Sequence, residues 1–390
     1  MARPLYTGID VGSQYVKVVI AGPPESPELP MTIIGTGSSP THGMRQGYVM
    51  SVGDVSRSVA EAVTRAAQAA KVTVTRARIS IGGISLEELR STGEVTLTTS
   101  AGVVTERDVE RVLKESEKRA AAKLVNCTII HTIPLSYRLD GSLIQGRPQG
   151  LRGTKLGVET LIVSVLTQHH DDLIEAVEGA GVEVDGIMAS PLAASFITLT
   201  KAQKTAGVVL ANIGAETLSM IIFDNDLPLS TKVFPIGSTN ITNAIALSFQ
   251  LPLPEAEQLK RGAVTGSDIS PKKFAKVVED QLKEMYDLVN VQLKAVARQR
   301  LLPAGIVLTG GGASIPDAAT VARVTLKLPA QVGLPPAIPR AGALDATWSV
   351  AYGLCRWGFA EDSAIPLYTF GEIMRRTLES IKSSVRALLP

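Results

Sequence analysis

Asp10 and Lys17 flank a short glycine-bearing turn in the stretch GIDVGSQYVKVVI, residues 8–20. Such a turn can aim successive backbone N–H groups at an anion, while an acid just before it holds magnesium through waters. On its own the pattern is also that of an ordinary hairpin. It occurs twice, however: laying Asp10 on Asn212 aligns IDVGSQYVKVVI with ANIGAETLSMII, so that Val11 meets Ile213 and Gly12 meets Gly214. Apolar residues coincide from Val18 onward. Two similar hairpins half a chain apart point to an internal duplication, and two such turns facing each other could clamp a polyphosphate between two lobes. A third glycine cluster, Gly310-Gly311-Gly312, follows the apolar run GIVLT and precedes a helical pattern. There the backbone can approach a nucleotide closely and amides can point at phosphate, although a tight strand-to-helix turn reads the same way.

Other chemistries are excluded by what is missing. No Gly-Lys dipeptide exists, so the P-loop pattern is absent, and no G-x-G-x-x-G, G-x-S-x-G or H-E-x-x-H string occurs. The run His169-His170-Asp171-Asp172 has metal-ligand residue types. Consecutive side chains point different ways on a helix, and carboxylates in a first turn suit its dipole, so the run is read as helix surface.

These residues need elements to position them. At 390 residues and 45% hydrophobic content, the chain can bury a large core in two lobes or a few subdomains. Lys and Arg number 39 against 37 acids, so the overall charge gives no footprint for nucleic acid, and 4% aromatic content disfavours a stacking platform for single strands. Two cysteines, Cys127 and Cys355, are too few for a disulfide framework and suit a reducing compartment, the cytoplasm. The opening MARPLYTGID has no secretory pattern, and no run of about 20 apolar residues spans a membrane.

Along the chain, helix is expected over VGDVSRSVAEAVTRAAQAAKV and over TERDVERVLKESEKRAAAKLV, the latter with Thr105 as N-cap and Asp108 completing a capping box. RARISIGGIS, GEVTLTT, CTIIHTIPLSYRL and VETLIVSVL read as strands. Residues 76–157 are therefore expected to form a small separate α/β unit. Strand and helix then alternate, and KKFAKVVEDQLKEMYDLVNVQLKAVARQRLL is one long helical pattern.

The three glycine loops, in this order, resemble the actin-like ATPase superfamily, and within it the chain is most similar to the FtsA family of bacterial cell-division proteins. The similarity runs over nearly the whole length and includes IPLSYRLDG, GLRGTKLGVETLIVSV, LIEAVEGAGVEVDGIMASPLAASF, EAEQLKRGAV and GIVLTGGGASIP. It implies a two-lobed actin-like α/β fold with duplicated βαβ cores: lobe I from 1–75 and 158–204, the inserted unit 76–157, the lobe II core from 205–240 and 304–360, an upper subdomain of lobe II at 241–303, and a linker at 361–366. It also implies ATP and Mg²⁺ as cofactors. Asp10 would organise Mg²⁺ through waters. Gly12, Ser13, Gln14, Tyr15 and Lys17 would supply the first phosphate turn, with Asn212, Gly214, Ala215, Glu216 and Thr217 opposite. Gly237 would lie near the ribose and phosphates, Glu257 and Lys260 would contact ribose or adenine, and Gly310, Gly311 and Gly312 would pass the α-phosphate and adenosine. Many superfamily members carry D-I-G-G-G-T-x-D in the second loop, where this chain has Asn212, Ala215, Glu216 and Ser219. Two carboxylates are thus missing where magnesium and attacking water would be ordered, which implies slow hydrolysis at most and a nucleotide acting as an assembly ligand.

The C-terminal stretch PLYTFGEIMRRTLESIKSSVRALLP places Phe370, Ile373, Met374, Leu378, Ile381, Val385 and Leu388 on one helical stripe, with Arg375, Arg376, Lys382 and Arg386 at its flanks. Such a helix, 367–390, can lie in a bilayer interface with its cations on anionic headgroups, or dock on the core or a partner. The family resemblance favours the membrane: it implies an adaptor on the cytoplasmic face at the division site that forms filaments with itself, joins other divisome proteins and grips the FtsZ C-terminal tail. Lys272, Lys273 and Lys276 are the candidate contacts for that acidic tail. The alternatives are a PilM-like scaffold of type IV pilus assembly and a small-molecule kinase of the same superfamily.

Overall fold

A computed structural model describes residues 4–25, 29–97, 102–262, 269–336 and 344–363. The helix expected over 367–390, with Phe370 to Leu388, lies outside these residues, as do residues 364–366 of the linker before it.

The chain starts as an antiparallel meander, β1 (Tyr6–Val11), β2 (Tyr15–Gly22) and β3 (Thr32–Pro40), followed by a two-stranded ribbon, β4 (Met44–Arg45) and β5 (Tyr48–Val49). Helix α1 (Val52–Ala70) then leads to β6 (Arg76–Ile81), which pairs parallel with β1. Next come β7 (Glu87–Thr96), α2 (Glu106–Ala121), β8 (Cys127–Leu139), β9 (Ser142–Ile144) and β10 (Lys155–Leu166). Lobe I is completed by α3 (Thr167–Glu178), β11 (Glu183–Ala189) and α4 (Ser190–Thr198), and α5 (Lys201–Ala206) crosses into the second half. That half repeats the meander with β12 (Val208–Ile213), β13 (Leu218–Asp224) and β14 (Leu227–Phe234). Helices α6 (Ser238–Phe249), α7 (Leu253–Lys260) and α8 (Pro271–Ala295) follow, then β15 (Ile306–Thr309), α9 (Ala318–Leu326), β16 (Ala330–Val332) and α10 (Ser349–Asp362).

The two main sheets have the same topology. One runs β11-β6-β1-β2-β3 and the other β16-β15-β12-β13-β14, each an antiparallel meander extended by parallel strands. The repeat matches the internal duplication read from the hairpins, and the two-lobed arrangement is the one that the actin-like resemblance implies. Strand alternation explains why the lobes share a core: Val208 and Leu210 of β12 face the cluster containing Ile9 and Val16, whereas Val209, Ala211 and Ile213 face the one containing Ile241 and Leu282.

The inserted unit is a four-stranded antiparallel sheet, β7-β10-β8-β9, with α2 against one face and its own core of Val104, Val109, Val112, Tyr137, Leu156 and Val158. Thr105 and Asp108 cap α2 reciprocally. Its sheet begins at residue 87, later than the expected 76, because β6 pairs with β1 and β11 in lobe I, and it extends to Leu166 because β10 runs unbroken past residue 157. Leu161, Val163 and Val165 root that strand in the lobe I core. On its outer side Glu88 reaches lobe II, accepting from Thr231 N–H at 2.6 Å, Ser230 Oγ at 2.8 Å and Gln292 Nε2 at 3.2 Å.

A candidate nucleotide cleft between two matching turns

The two glycine turns fold alike because the same residue type sits at the same place. Gly12 N–H donates to Tyr15 C=O at 3.1 Å, and Gly214 N–H donates to Thr217 C=O at 2.8 Å. The first turn is buttressed by Thr41 N–H on Gln14 C=O; the second is bolted to the start of α6 by Ser238 N–H on Gly214 C=O and Thr239 N–H on Ala215 C=O. Between the turns lies a cleft of about 640 Å³, lined from both lobes. That volume lies in the range of small-ligand and cofactor sites.

Most residues expected from sequence meet there: Asp10, Gly12, Ser13, Gln14, Tyr15 and Lys17 on one side, Asn212, Gly214, Ala215 and Thr217 on the other, with Glu257, Lys260, Gly310 and Gly311. Three do not reach the wall. Glu216 turns away to accept Gln46 N–H from the β4–β5 ribbon at 2.5 Å, joining the second turn to lobe I. Gly237 packs beneath the second turn, where a Cβ would collide with the Ala215 and Glu216 backbone, and Gly312 packs on Ile213.

The charges of the two turns differ. Asp10 registers across its hairpin with Lys17, whereas Asn212 registers with Ser219. Burial raises the Asp10 carboxyl above its usual range, opposed by the Lys17 charge and a 2.7 Å hydrogen bond from Ser80 Oγ. On the lobe II wall, burial alone would raise the Glu257 carboxyl, but Lys260 at 2.6 Å, Thr242 and Arg261 hold it below its usual range. Lys260 is itself pulled down by burial, and its Nζ also reaches Ser238 C=O and Thr242 Oγ1. Both ends of this pair are engaged within the protein, so they brace the wall. At the glycine cluster, Gly310 sits at φ +80°, with its missing side chain facing Asn212 Oδ1 and the Ile213 carbonyl. Only glycine lets that loop close on the second turn.

The cleft also includes residues the sequence reading passed over, Ser80, Gly82, Gly83, Gly47, Ser190, Thr347 and Trp348, and His169, which that reading left on the helix surface. Gly82 and Gly83 follow β6 as Gly310 and Gly311 follow β15, so the duplication itself could have located them. His169 belongs to lobe I packing: it is buried, its Nδ1 lies 2.6 Å from Ser85 Oγ, and its ring stacks on Tyr48. His170 and the two aspartates make no metal cluster, and none occurs among the described residues. For a hydrated Mg²⁺, Asp10 fits as the carboxylate on this wall; Asn212 offers an amide oxygen hemmed in by Gly310.

Of the lysines expected to grip an acidic peptide, Lys272 is exposed on α8. Lys273 donates to Ser248 C=O at 3.0 Å and lies over Phe249, and Lys276 pairs with Asp280 at 2.8 Å. A peptide would have to displace these contacts. Where the lobes join, Lys204 of α5 is fully buried, reaching Ser195 Oγ at 3.2 Å and lying over the rings of Phe196 and Phe223. Burial lowers its ammonium to about 7.

Comparison with known proteins gives the family context. The family described as "Cell division protein FtsA" matches residues 209–353, and the "SHS2 domain inserted in FTSA" matches residues 83–164. "Cell division protein FtsA" of Borreliella burgdorferi is 27% identical over 378 residues, covering 91% of this chain and 91% of its own length. That of Escherichia coli (strain K12) is 27% identical over 419 residues, covering 99% and 97%. Among solved structures, the "PilM-PilN type IV pilus biogenesis complex" is similar in fold, with a TM-score of 0.68 and 20% identity over 92% of this chain and 99% of that one.

Proposed function

The chain belongs to the FtsA family of actin-like cell-division proteins, and from that premise we propose that it binds Mg²⁺-ATP in the interlobe cleft and uses it as an assembly ligand. Assembled with copies of itself at the cytoplasmic face of the membrane, it ties the FtsZ ring to the bilayer through residues 367–390. The observation that carries the nucleotide part is the pair of turns closed by the same glycine hydrogen bond, facing one cleft with unequal charges. Backbone amides of both turns hold the phosphates, and Asp10 orients hydrated Mg²⁺. The metal, when bound, neutralises charge on the β- and γ-phosphate oxygens. Lys17 adds a cation on the lobe I side, and Gly310-Gly311 lets adenosine pass close to the backbone.

Asn212 and Ser219 put no carboxylate on the lobe II side to order attacking water, and this supports slow turnover. It also argues against a small-molecule kinase, which needs a catalytic carboxylate near the transferred phosphate. The test is titration of a fluorescent ATP analogue into the full chain, which is expected to saturate with Mg²⁺ while phosphate release stays slow. Rapid turnover with a small-molecule acceptor would overturn the reading. For the adaptor part, deleting residues 367–390 is expected to abolish co-sedimentation with anionic liposomes, and the FtsZ C-terminal tail should be retained by the immobilised chain in preference to a pilus-protein N-terminal peptide.

A further inference from the structure

Asp10 is the acid on which the cation site turns, yet nothing in the first hairpin fixes which of its oxygens faces the cleft. The terminal torsion of an aspartate is broad, so an unsupported carboxylate presents either oxygen. Ser80 removes that freedom. It lies on β6, the parallel neighbour of β1, where Ile79 registers with Ile9. Ser80 is buried and lines the cleft, and its Oγ–H donates to Asp10 Oδ1 at 2.7 Å. Because an ionised carboxylate only accepts, the hydroxyl must be the donor. It is the only hydrogen bond to that side chain among the described residues.

Lobe II provides the internal contrast. Thr309 of β15 registers with Asn212, the counterpart of Asp10. Its hydroxyl turns the other way, bonding Ala346 C=O at 3.0 Å and Ser349 Oγ at 2.9 Å at the start of α10. The hydroxyl next to the acid is aimed at it; the hydroxyl next to the amide is spent on a helix.

Resting on the Mg²⁺-ATP reading above, we propose that Ser80 is a positioning residue: by occupying Oδ1 it presents Oδ2 of Asp10 to the hydrated divalent cation that accompanies the nucleotide. Groups standing behind a cation-facing carboxylate in this way typically govern affinity by about 10–100-fold.

Calorimetric titration of the full chain with ATP, in Mg²⁺ and separately in EDTA, tests this. Ser80→Ala is expected to cut the Mg²⁺-dependent gain in affinity by about 10-fold while changing the EDTA value little, and Ser80→Thr to restore it. In an Asp10→Asn background, Ser80→Ala should cost nothing further, because its effect passes through Asp10. Equal weakening in Mg²⁺ and EDTA, or additive losses in the double variant, would overturn the proposal alone. Absence of ATP binding by the unmodified chain in both buffers would overturn the nucleotide reading and the proposal with it.

Discussion

The first and second turns share a backbone and differ in chemistry. Each closes through a glycine N–H on the carbonyl three residues later, and each joins the first two strands of an antiparallel meander, beside a parallel strand that is followed by glycines. Yet the cross-strand pair is Asp10 with Lys17 in one and Asn212 with Ser219 in the other. Hairpin geometry is set by glycine and alternation, so it survives duplication. The side chains at four positions decide which half handles charge. On the proposed reading lobe I is the side that takes the cation, while the second turn has no carboxylate at positions 212 and 219.

The largest expected effect comes from the glycines after the parallel strands. Gly310→Ala forces a Cβ at φ +80° into Asn212 and the Ile213 backbone. In the loop after β6, Gly82→Ala meets only the Ser190 side chain, its hydroxyl 3.0 Å away. Urea unfolding should show a loss of about 3 kcal/mol or more for the first and about 1 kcal/mol or less for the second. Similar losses would mean that the two loops are held equally tightly.

A second break lies at the junction of the halves. Lys204 titrates near 7 in the folded chain, well below the usual lysine value, because of burial. From pH 7 up to the unfolded value the unfolded chain holds a proton that the folded chain gives up, so native stability climbs as pH rises through that window. Lys204→Met should therefore stabilise the protein at pH 6, by on the order of 1–4 kcal/mol, and by less at pH 10. Thermal melts at the two pH values read this directly; a gain independent of pH would show that the ammonium is not the source.

The smallest effect expected is a partial reversal of the asymmetry. Asn212→Asp returns a carboxylate to the second turn and should raise ATP turnover by about 10-fold, roughly 1.4 kcal/mol of barrier. Unchanged phosphate release would show that Ser219 or another lobe II residue limits the chemistry instead.

The sequence made the duplicated hairpins legible because each needs glycine at one place and apolar residues at alternating ones. Gly82 and Gly83 do not fall at the spacing of the two hairpins, since the β4–β5 ribbon and α1 connect the meander to β6, whereas α6, α7 and α8 separate β14 from β15. Ser80 and Thr309 are single hydroxyls on apolar strands, and sequence does not reveal which way a buried hydroxyl turns. Nor does strand composition name a sheet: RARISI is as apolar as the inserted strands, and only its pairing with β1 and β11 places it in lobe I. The resemblance implies Glu216 as part of the phosphate turn, while its side chain serves the ribbon at Gln46. The Thr105–Asp108 cap, by contrast, is local and was fully legible.

The central claim is that one turn handles the cation and the other does not. Calorimetric titration of ATP with and without Mg²⁺, carried out on Asp10→Asn and Asn212→Ala side by side, tests it most directly. The account predicts that Asp10→Asn loses the Mg²⁺-dependent part of the affinity, by about 10–100-fold or 1.4–2.8 kcal/mol, while Asn212→Ala retains it. Equal loss in both variants, or loss confined to Asn212→Ala, would contradict it.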